Sequence, residues 1–164
     1  MPDATPVRYM EAIAHRYQQL GYTPYRWFEA DSAPEITPLA KELSQCRIGV
    51  LATSGTYVAG QVAYHYKDDT SLRAIPKTTK GEALRFSHIT ENYLESSRKD
   101  PNCTFPIDAL NAVASDGQVG AIADEVYSCM GGIYSQRRVR EELIPAVEER
   151  LRAQDVDAVL LVPM

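Results

Sequence analysis

The chain has no block of basic residues and a formal net charge of −5, so it lacks the electrostatic footprint that nucleic-acid binding requires. No apolar run approaches the length needed to span a bilayer. The N-terminus, MPDATPVRYMEAIAHRY, carries an acidic residue at once and no apolar signal-peptide core, so the cytoplasm is the expected compartment. Cysteine is scarce. Cys46, Cys103 and Cys129 are widely spaced, odd in number and in no CxxC pair, which argues against a disulfide framework and against a tetrahedral zinc site. All three are expected to be reduced and unpaired, each reading equally well as a small buried thiol. No metal site is expected, and GxGxxG, P-loop, HExxH and nucleophile-elbow motifs are all missing. With no repeat, low-complexity stretch or linker, a single domain over residues 1–164 is expected, with enough apolar residues for a core.

What is present reads as alternating helices and strands. Val7, Met10, Ile13, Ala14, Tyr17 and Leu20 fall at helical spacing before Gly21. Residues 22–34, rich in proline and aromatics, read as an irregular arm packed on the core or on a partner. A short helix is expected from Ile36 to Ser44. Arg47–Thr53 (RIGVLAT) is a continuous apolar run closed by Ser54-Gly55, the pattern of a buried strand. Short strands are expected at Ser71–Ile75, Ala83–Phe86 and Val119–Ala123, and helical turns around Glu91–Arg98. A helix should run from Pro106 to Gly117. The amphipathic stretch Gln136–Ala153 predicts a helix kinked or restarted at Pro145, and Asp157–Val162 a final buried strand. The alternation predicts a three-layer α/β fold with a mostly parallel sheet, whose ligands sit outside the carboxyl ends of the strands.

Several groups could carry chemistry there. Thr53, Ser54 and Gly55 offer hydroxyls and free amides at a strand end; a helix starting at that point would give them an anion-binding N-terminus, while a purely conformational Ser-Gly turn explains the same residues. In Lys67–Arg73, Asp69 and Thr70 belong to a charged, hydroxyl-rich turn, and the Arg73 guanidinium suits a substrate carboxylate. A solvated turn capped by Asp69 or Ser71 is the plainer account. His88 follows an apolar segment and is placed as an acid or base, with His15 and His65 in weaker contexts. Cys129 sits beside the Gly131-Gly132 pair, which makes it the candidate reactive thiol, burial being the alternative.

Taken in order, these segments resemble the selenoprotein B family of glycine, sarcosine, betaine and D-proline reductases. Asp69-Thr70-Ser71-Leu72-Arg73-Ala74-Ile75-Pro76 looks like the family's D-T-S-x-R-x-I-P stretch, and Phe86-Ser87-His88 like its serine-histidine segment. The run Asp100-Pro101-Asn102-Cys103-Thr104-Phe105-Pro106-Ile107-Asp108-Ala109-Leu110 is similar to D-x-N-x-x-F-P-I-D-x-L. Gln118-Val119-Gly120 and Tyr127-Ser128-Cys129-Met130-Gly131 match the glycine-led and Y-S-x-M-G segments, and Pro24-Tyr25-Arg26-Trp27 and Leu51-Ala52-Thr53-Ser54-Gly55 also fit. The resemblance covers essentially the whole chain.

It implies an oxidoreductase subunit in which a selenocysteine or cysteine just after the last strand cleaves a substrate bond reductively. In the amino-acid reductases the bond is carbon–nitrogen, and the partners are a pyruvoyl-bearing subunit and dithiol reductants. Here Val159-Leu160-Leu161-Val162-Pro163 is followed only by Met164, and none of the three cysteines matches the redox position. Either the domain is catalytically incomplete, or the reading frame closes at a selenocysteine codon. The second is preferred, because an α/β chain seldom stops one residue after a buried strand. No cofactor is expected within the chain, and the selenocysteine or cysteine is expected just beyond Met164. Thr53–Gly55, Asp69, Thr70 and Arg73 are then expected to bind a small substrate, with His88 moving a proton. The rival readings are a non-catalytic ligand-binding or subunit-docking domain, and a hydrolase or lyase using Cys129 with His88. An uncovered sheet flank and the aromatic arm are expected to favour a homo-oligomer or capture of reductase subunits.

Overall fold

A computed structural model describes residues 6–24 and 27–164 of the chain, which divides into two units, Met1–Ile36 and Thr37–Met164. In the first unit the expected helix forms as α1, Tyr9–Gln19. Arm residues fold back on it: the Tyr9 and Trp27 rings meet edge to face at 6.3 Å, and Tyr17 packs on Tyr22 at 6.0 Å. Tyr25 and Arg26, part of the arm and of one family-like segment, lie outside the described residues.

The second unit is built on a sheet. The expected helix over Ile36–Ser44 does not form; two prolines nearby, Pro34 and Pro38, break its first turn, and only a 3₁₀ turn at Leu43–Gln45 appears. Strand β1, Arg47–Ala52, follows as expected. The chain then forms β2 (Thr56–Val58), β3 (Arg73–Pro76), β4 (Leu84–Phe86), the short helix α2 (Leu94–Lys99) and α3 (Ile107–Ser115). Next come β5 (Ala121–Ile122) and β6 (Glu125–Ser128). A helix then runs through α4 (Gln136–Arg138), a π-helical turn at Val139–Leu143, and α5 (Ile144–Arg152), and β7 (Ala158–Val162) closes the sequence. The π turn sits just before Pro145, whose missing N–H breaks the regular ladder, so the helix widens instead of ending.

Strand β1 is the centre of the main sheet. It pairs in parallel with β7 along one side, and with β5 and then β6 along the other. Strand β3 adds to β6 antiparallel, so the sheet is mostly parallel. Strands β2 and β4 form a separate antiparallel pair. Alternation along β1 sends Ile48, Val50 and Ala52 to one face, into a core with Ile107, Phe105, Leu84, Ile122 and Val126. Gly49 and Leu51 face the opposite side. A Cβ at Gly49 would lie 2.7 Å from the Leu151 side chain, so α5 approaches this face closely. The fold is therefore α/β, with helices on both faces of the sheet.

One strand differs in character from its expected form. The apolar run of β7 predicts full burial, yet Val159, Leu160 and Leu161 are all exposed, because β7 pairs only with β1 among the described residues.

At the carboxyl end of the sheet, glycine decides how tightly loops meet. Gly55 has φ +62, and a Cβ there would stand 2.1 Å from the Ser87 carbonyl oxygen. Gly55 accepts from the Ser87 N–H and donates to the Cys129 carbonyl, both at 3.0 Å. Gly55→Ala should therefore lower unfolding free energy by more than about 2 kcal/mol. Gly117→Ala, at φ +73 but with nothing near its would-be Cβ, should cost about 1 kcal/mol. Urea unfolding measures both; equal costs would contradict the steric account.

Candidate functional site

The turn after β1 begins at Thr53, whose N–H donates to the Val162 carbonyl at 3.0 Å and whose hydroxyl accepts from the Met164 N–H at 2.8 Å. It thus ties the end of β1 to the end of β7. Ser54 is fully buried, with its hydroxyl 2.7 Å from that of Thr56. No helix starts here. The chain turns into β2, so the expected helix N-terminus is not formed, and the amides of Gly55 and Thr56 are taken by the Cys129 carbonyl and the Ser128 hydroxyl. Pairing of β2 with β4 supplies the physical reason, since Thr56 and Val58 carry inward-facing side chains that a strand buries.

His88 follows β4 and is 6 % exposed. Its Nδ1 accepts from the Thr90 N–H at 3.1 Å and lies 2.6 Å from the Thr90 hydroxyl, so the neutral ring carries its proton on Nε2. Nε2 is buried and has no hydrogen-bond partner. The Thr53 carbonyl lies near enough to favour the protonated ring, but outside hydrogen-bond geometry, and such misaligned contacts are weak. A Cβ on Gly131 would be 2.8 Å from both His88 Nε2 and the Thr53 carbonyl oxygen, and 3.3 Å from that of Met164. A Cβ on Gly132 would strike the Ile89 side chain at 2.3 Å. The ends of β1, β6 and β7 therefore meet around one imidazole. Burial lowers the His88 pKa below the ordinary 6.5, against the opposing pull of the Thr53 carbonyl and Glu91.

Cys129 is buried, and burial pushes its thiol up to about 12. It has the surroundings of a structural thiol and lacks the nearby cation that a nucleophilic thiolate needs. Cys46 is buried with its thiol 3.3 Å from the Glu42 carbonyl, Cys103 is exposed, and all three are free.

Arg73 pairs with Ser128 across β3 and β6, which places it at the same sheet end. Its guanidinium is not free for a carboxylate: it donates to the carbonyls of Val62 (2.7 Å) and Ala63 (3.4 Å) and the Ser71 hydroxyl (2.8 Å), and lies 4.2 Å from the Tyr64 ring centre. Asp69 accepts from the His65 and Ser71 amides at 2.8 and 2.9 Å and from the Ser71 hydroxyl. Burial opposes its ionisation, but these bonds and the Arg73 charge together hold its carboxyl below the usual range. The Thr70 hydroxyl donates to Glu142 at 2.7 Å and accepts from Arg138 at 3.0 Å. Asp69, Thr70 and Arg73 thus brace a loop against β3 and the helix of α4 and α5. The Asp100-Pro101-Asn102 segment is also a bracing device: Asp100 receives the Asn102 amide at 3.0 Å, and Asn102 receives that of Ala109 in α3 at 3.2 Å.

Three participants were not singled out in the sequence. Thr90 fixes the His88 tautomer, Ser128 receives the Thr56 amide on its hydroxyl, and Tyr64 donates to the Ser128 carbonyl at 2.5 Å. Of these only Thr90 had a local signal, a hydroxyl two residues after a histidine. Among the described residues no group of three or more His, Cys, Asp or Glu side chains is placed to hold a metal ion, and no helix is long and apolar enough to cross a membrane.

The family model for glycine/sarcosine/betaine reductase selenoprotein B matches residues 23–163. The chain is 31% identical over 128 residues to the D-proline reductase subunit gamma of Acetoanaerobium sticklandii, covering 78% of this chain and 52% of that protein. The chain thus spans about half the length of this curated relative. No solved structure matches.

Two measurements test this geometry. Iodoacetamide on the native chain should label Cys103 alone, with Cys46 and Cys129 reacting only after unfolding; rapid labelling of Cys129 would contradict its buried, un-ionised state. His88 has its folded pKa below its unfolded value, so its contribution is present above pH 6.5 and is lost as pH falls through the folded value. The drop in unfolding free energy between pH 7.5 and 5.5 should therefore shrink in His88→Gln, and an unchanged drop would assign it to other groups.

Proposed function

Because the chain belongs to the glycine/sarcosine/betaine reductase selenoprotein B family, we propose that it serves as a subunit of a reductase for a small, carboxylate-bearing nitrogen compound. The observation that carries this reading is the convergence of three family-like segments, Thr53–Gly55, Ser87-His88 and Met130-Gly131, at the carboxyl end of one mostly parallel sheet. That edge is where α/β folds place their reactive groups. The reaction is a two-electron cleavage: a carbon–nitrogen bond breaks, C–H and N–H bonds form, and a dithiol becomes a disulfide. The electrons pass through a selenol or thiol placed directly after β7. None of Cys46, Cys103 and Cys129 has both the position and the ionisation for that task.

In this reading His88 is neutral in the empty site and presents Nε2–H to the group following β7. A negative charge arriving beside it, from a substrate carboxylate or a chalcogenolate, raises its pKa and makes it a proton donor to the departing nitrogen. Thr53 holds the strand end that carries the reactive residue. Dithiol reductants and partner subunits are supplied by a thiol-reducing cytoplasm.

The test begins with the nucleotide sequence after the Met164 codon. An in-frame UGA is expected, and the extended protein with cysteine at that codon should show dithiol-dependent turnover of a substrate such as D-proline, sarcosine or betaine once its partner subunits are present. His88→Ala in that form should lower kcat by about 100-fold. Extended protein with no redox activity in the assembled complex would leave the non-catalytic ligand-binding or docking reading standing instead.

A further inference from the structure

The last strand of the sheet has one side unused. Strand β7 bonds to β1 through residues whose carbonyls face inward, as Val162 does toward Thr53. Alternation then turns the backbone N–H and C=O groups of Val159 and Leu161 outward, where no described strand meets them. The side chains of these residues are 38% and 65% exposed. Edge strands in native proteins are commonly blunted by charge, proline or a bulge, and β7 has none of these over Ala158–Val162.

The same residues form one wall of an apolar cavity of about 530 Å³. Val159 and Leu161 line it from the sheet; Val139, Leu143, Ile144 and Val147 line it from the helix. Glu148 and Arg152, paired with each other at 2.8 Å, belong to its polar rim. A buried parallel sheet needs both faces covered, and this stretch of β7 is uncovered on the face where α5 lies.

Chain topology says what fits. From β6 the chain crosses over α5 and returns as β7 on the far side of β1, moving outward across the sheet. Parallel crossovers are right-handed, so a further unit continuing outward must carry its helix on the same face as α5. The groove lies on that face, beside α5 and over β7. Its partner is therefore neither a loose peptide nor a small molecule, but the next repeat of the same architecture.

We propose that β7 is an interior strand of the full-length protein: a parallel strand from polypeptide following Met164 pairs with its open side, and the connecting amphipathic helix fills the groove next to α5. The matched relative has room for such a unit, since the match spans 52% of it. This inference shares with the proposed function only the continuation of the chain; it requires no redox chemistry.

The experiment compares the 164-residue chain with the protein extended through the downstream reading frame, any UGA being read as cysteine. Hydrogen exchange should find the Val159 and Leu161 amides unprotected in the short form and slowed by about 100-fold or more in the long form, the range expected when an edge becomes interior. Leu161→Asp should leave the unfolding midpoint of the short form nearly unchanged and lower that of the long form. Fast exchange at both amides in the long form, a downstream frame lacking a helix-period segment followed by an apolar strand, or equal sensitivity of the two forms to Leu161→Asp would each overturn the proposal. Protected amides in a protein without reductase activity would uphold it while removing the proposed function.

Discussion

Segment Ser87–Ile89 passes between two other turns with no side chain on the facing residues: Gly55 against the Ser87 carbonyl on one side, Gly131 and Gly132 against His88 and Ile89 on the other. Main chain packs on main chain here at distances a Cβ forbids. That close approach is what lets the turn after β1, the segment after β4 and the turn after β6 occupy one small volume, and what buries the imidazole without a large cavity around it. The position of His88, the register of β2 on β4, and the seat of Thr53 beside Met164 all depend on it.

Beneath this interlock lies a chain of hydroxyls. Ser54 meets Thr56, the Thr56 amide meets the Ser128 hydroxyl, and Tyr64 closes on the Ser128 carbonyl. Every member is buried, and every listed group has its partner within the protein, so the polar layer fixes geometry instead of drawing in water. Burial is also the main reason the Tyr64 hydroxyl is pushed far up and held un-ionised. The floor of the sheet's carboxyl end is therefore polar in composition yet dry in character, a setting in which a nearby charge acts at longer range than in water.

Legibility in the sequence followed the kind of pattern each element carries. Strand β1 was readable because RIGVLA is apolar throughout and closes on Ser-Gly, and α3 because proline and glycine mark its ends. Strand β6 was not: Glu125-Val126-Tyr127-Ser128 shows no apolar run, and the partners that satisfy it lie 29 residues later at Gln154 and 72 residues earlier at Thr56. Arg73 shows the limit for sites. A guanidinium among hydroxyls suggests a free fork, and nothing local reveals that the carbonyls of Val62 and Ala63 return to occupy it. His88 was readable as a candidate, while its tautomer and its orphaned Nε2 required the neighbouring loops. For β7 the apolar pattern was legible but its exposure was not, since burial depends on which strands stand beside it.

The π-helical turn at Val139–Leu143 bears on how the sequence tolerates change in length. Such a turn holds one residue more than an α-helical turn while leaving the helix on either side pointing as before. Arg138, before the turn, keeps its bonds to Glu142 and Thr70, and Leu151, after it, still packs on β1 at Gly49. Loss of a single residue between these anchors would convert the wide turn to a regular one without swinging the apolar side of α5 away from the sheet. A deletion there is thus the mildest indel the helix can suffer, and an insertion in the already regular Ile144–Arg152 stretch would rotate Leu151 off its contact instead.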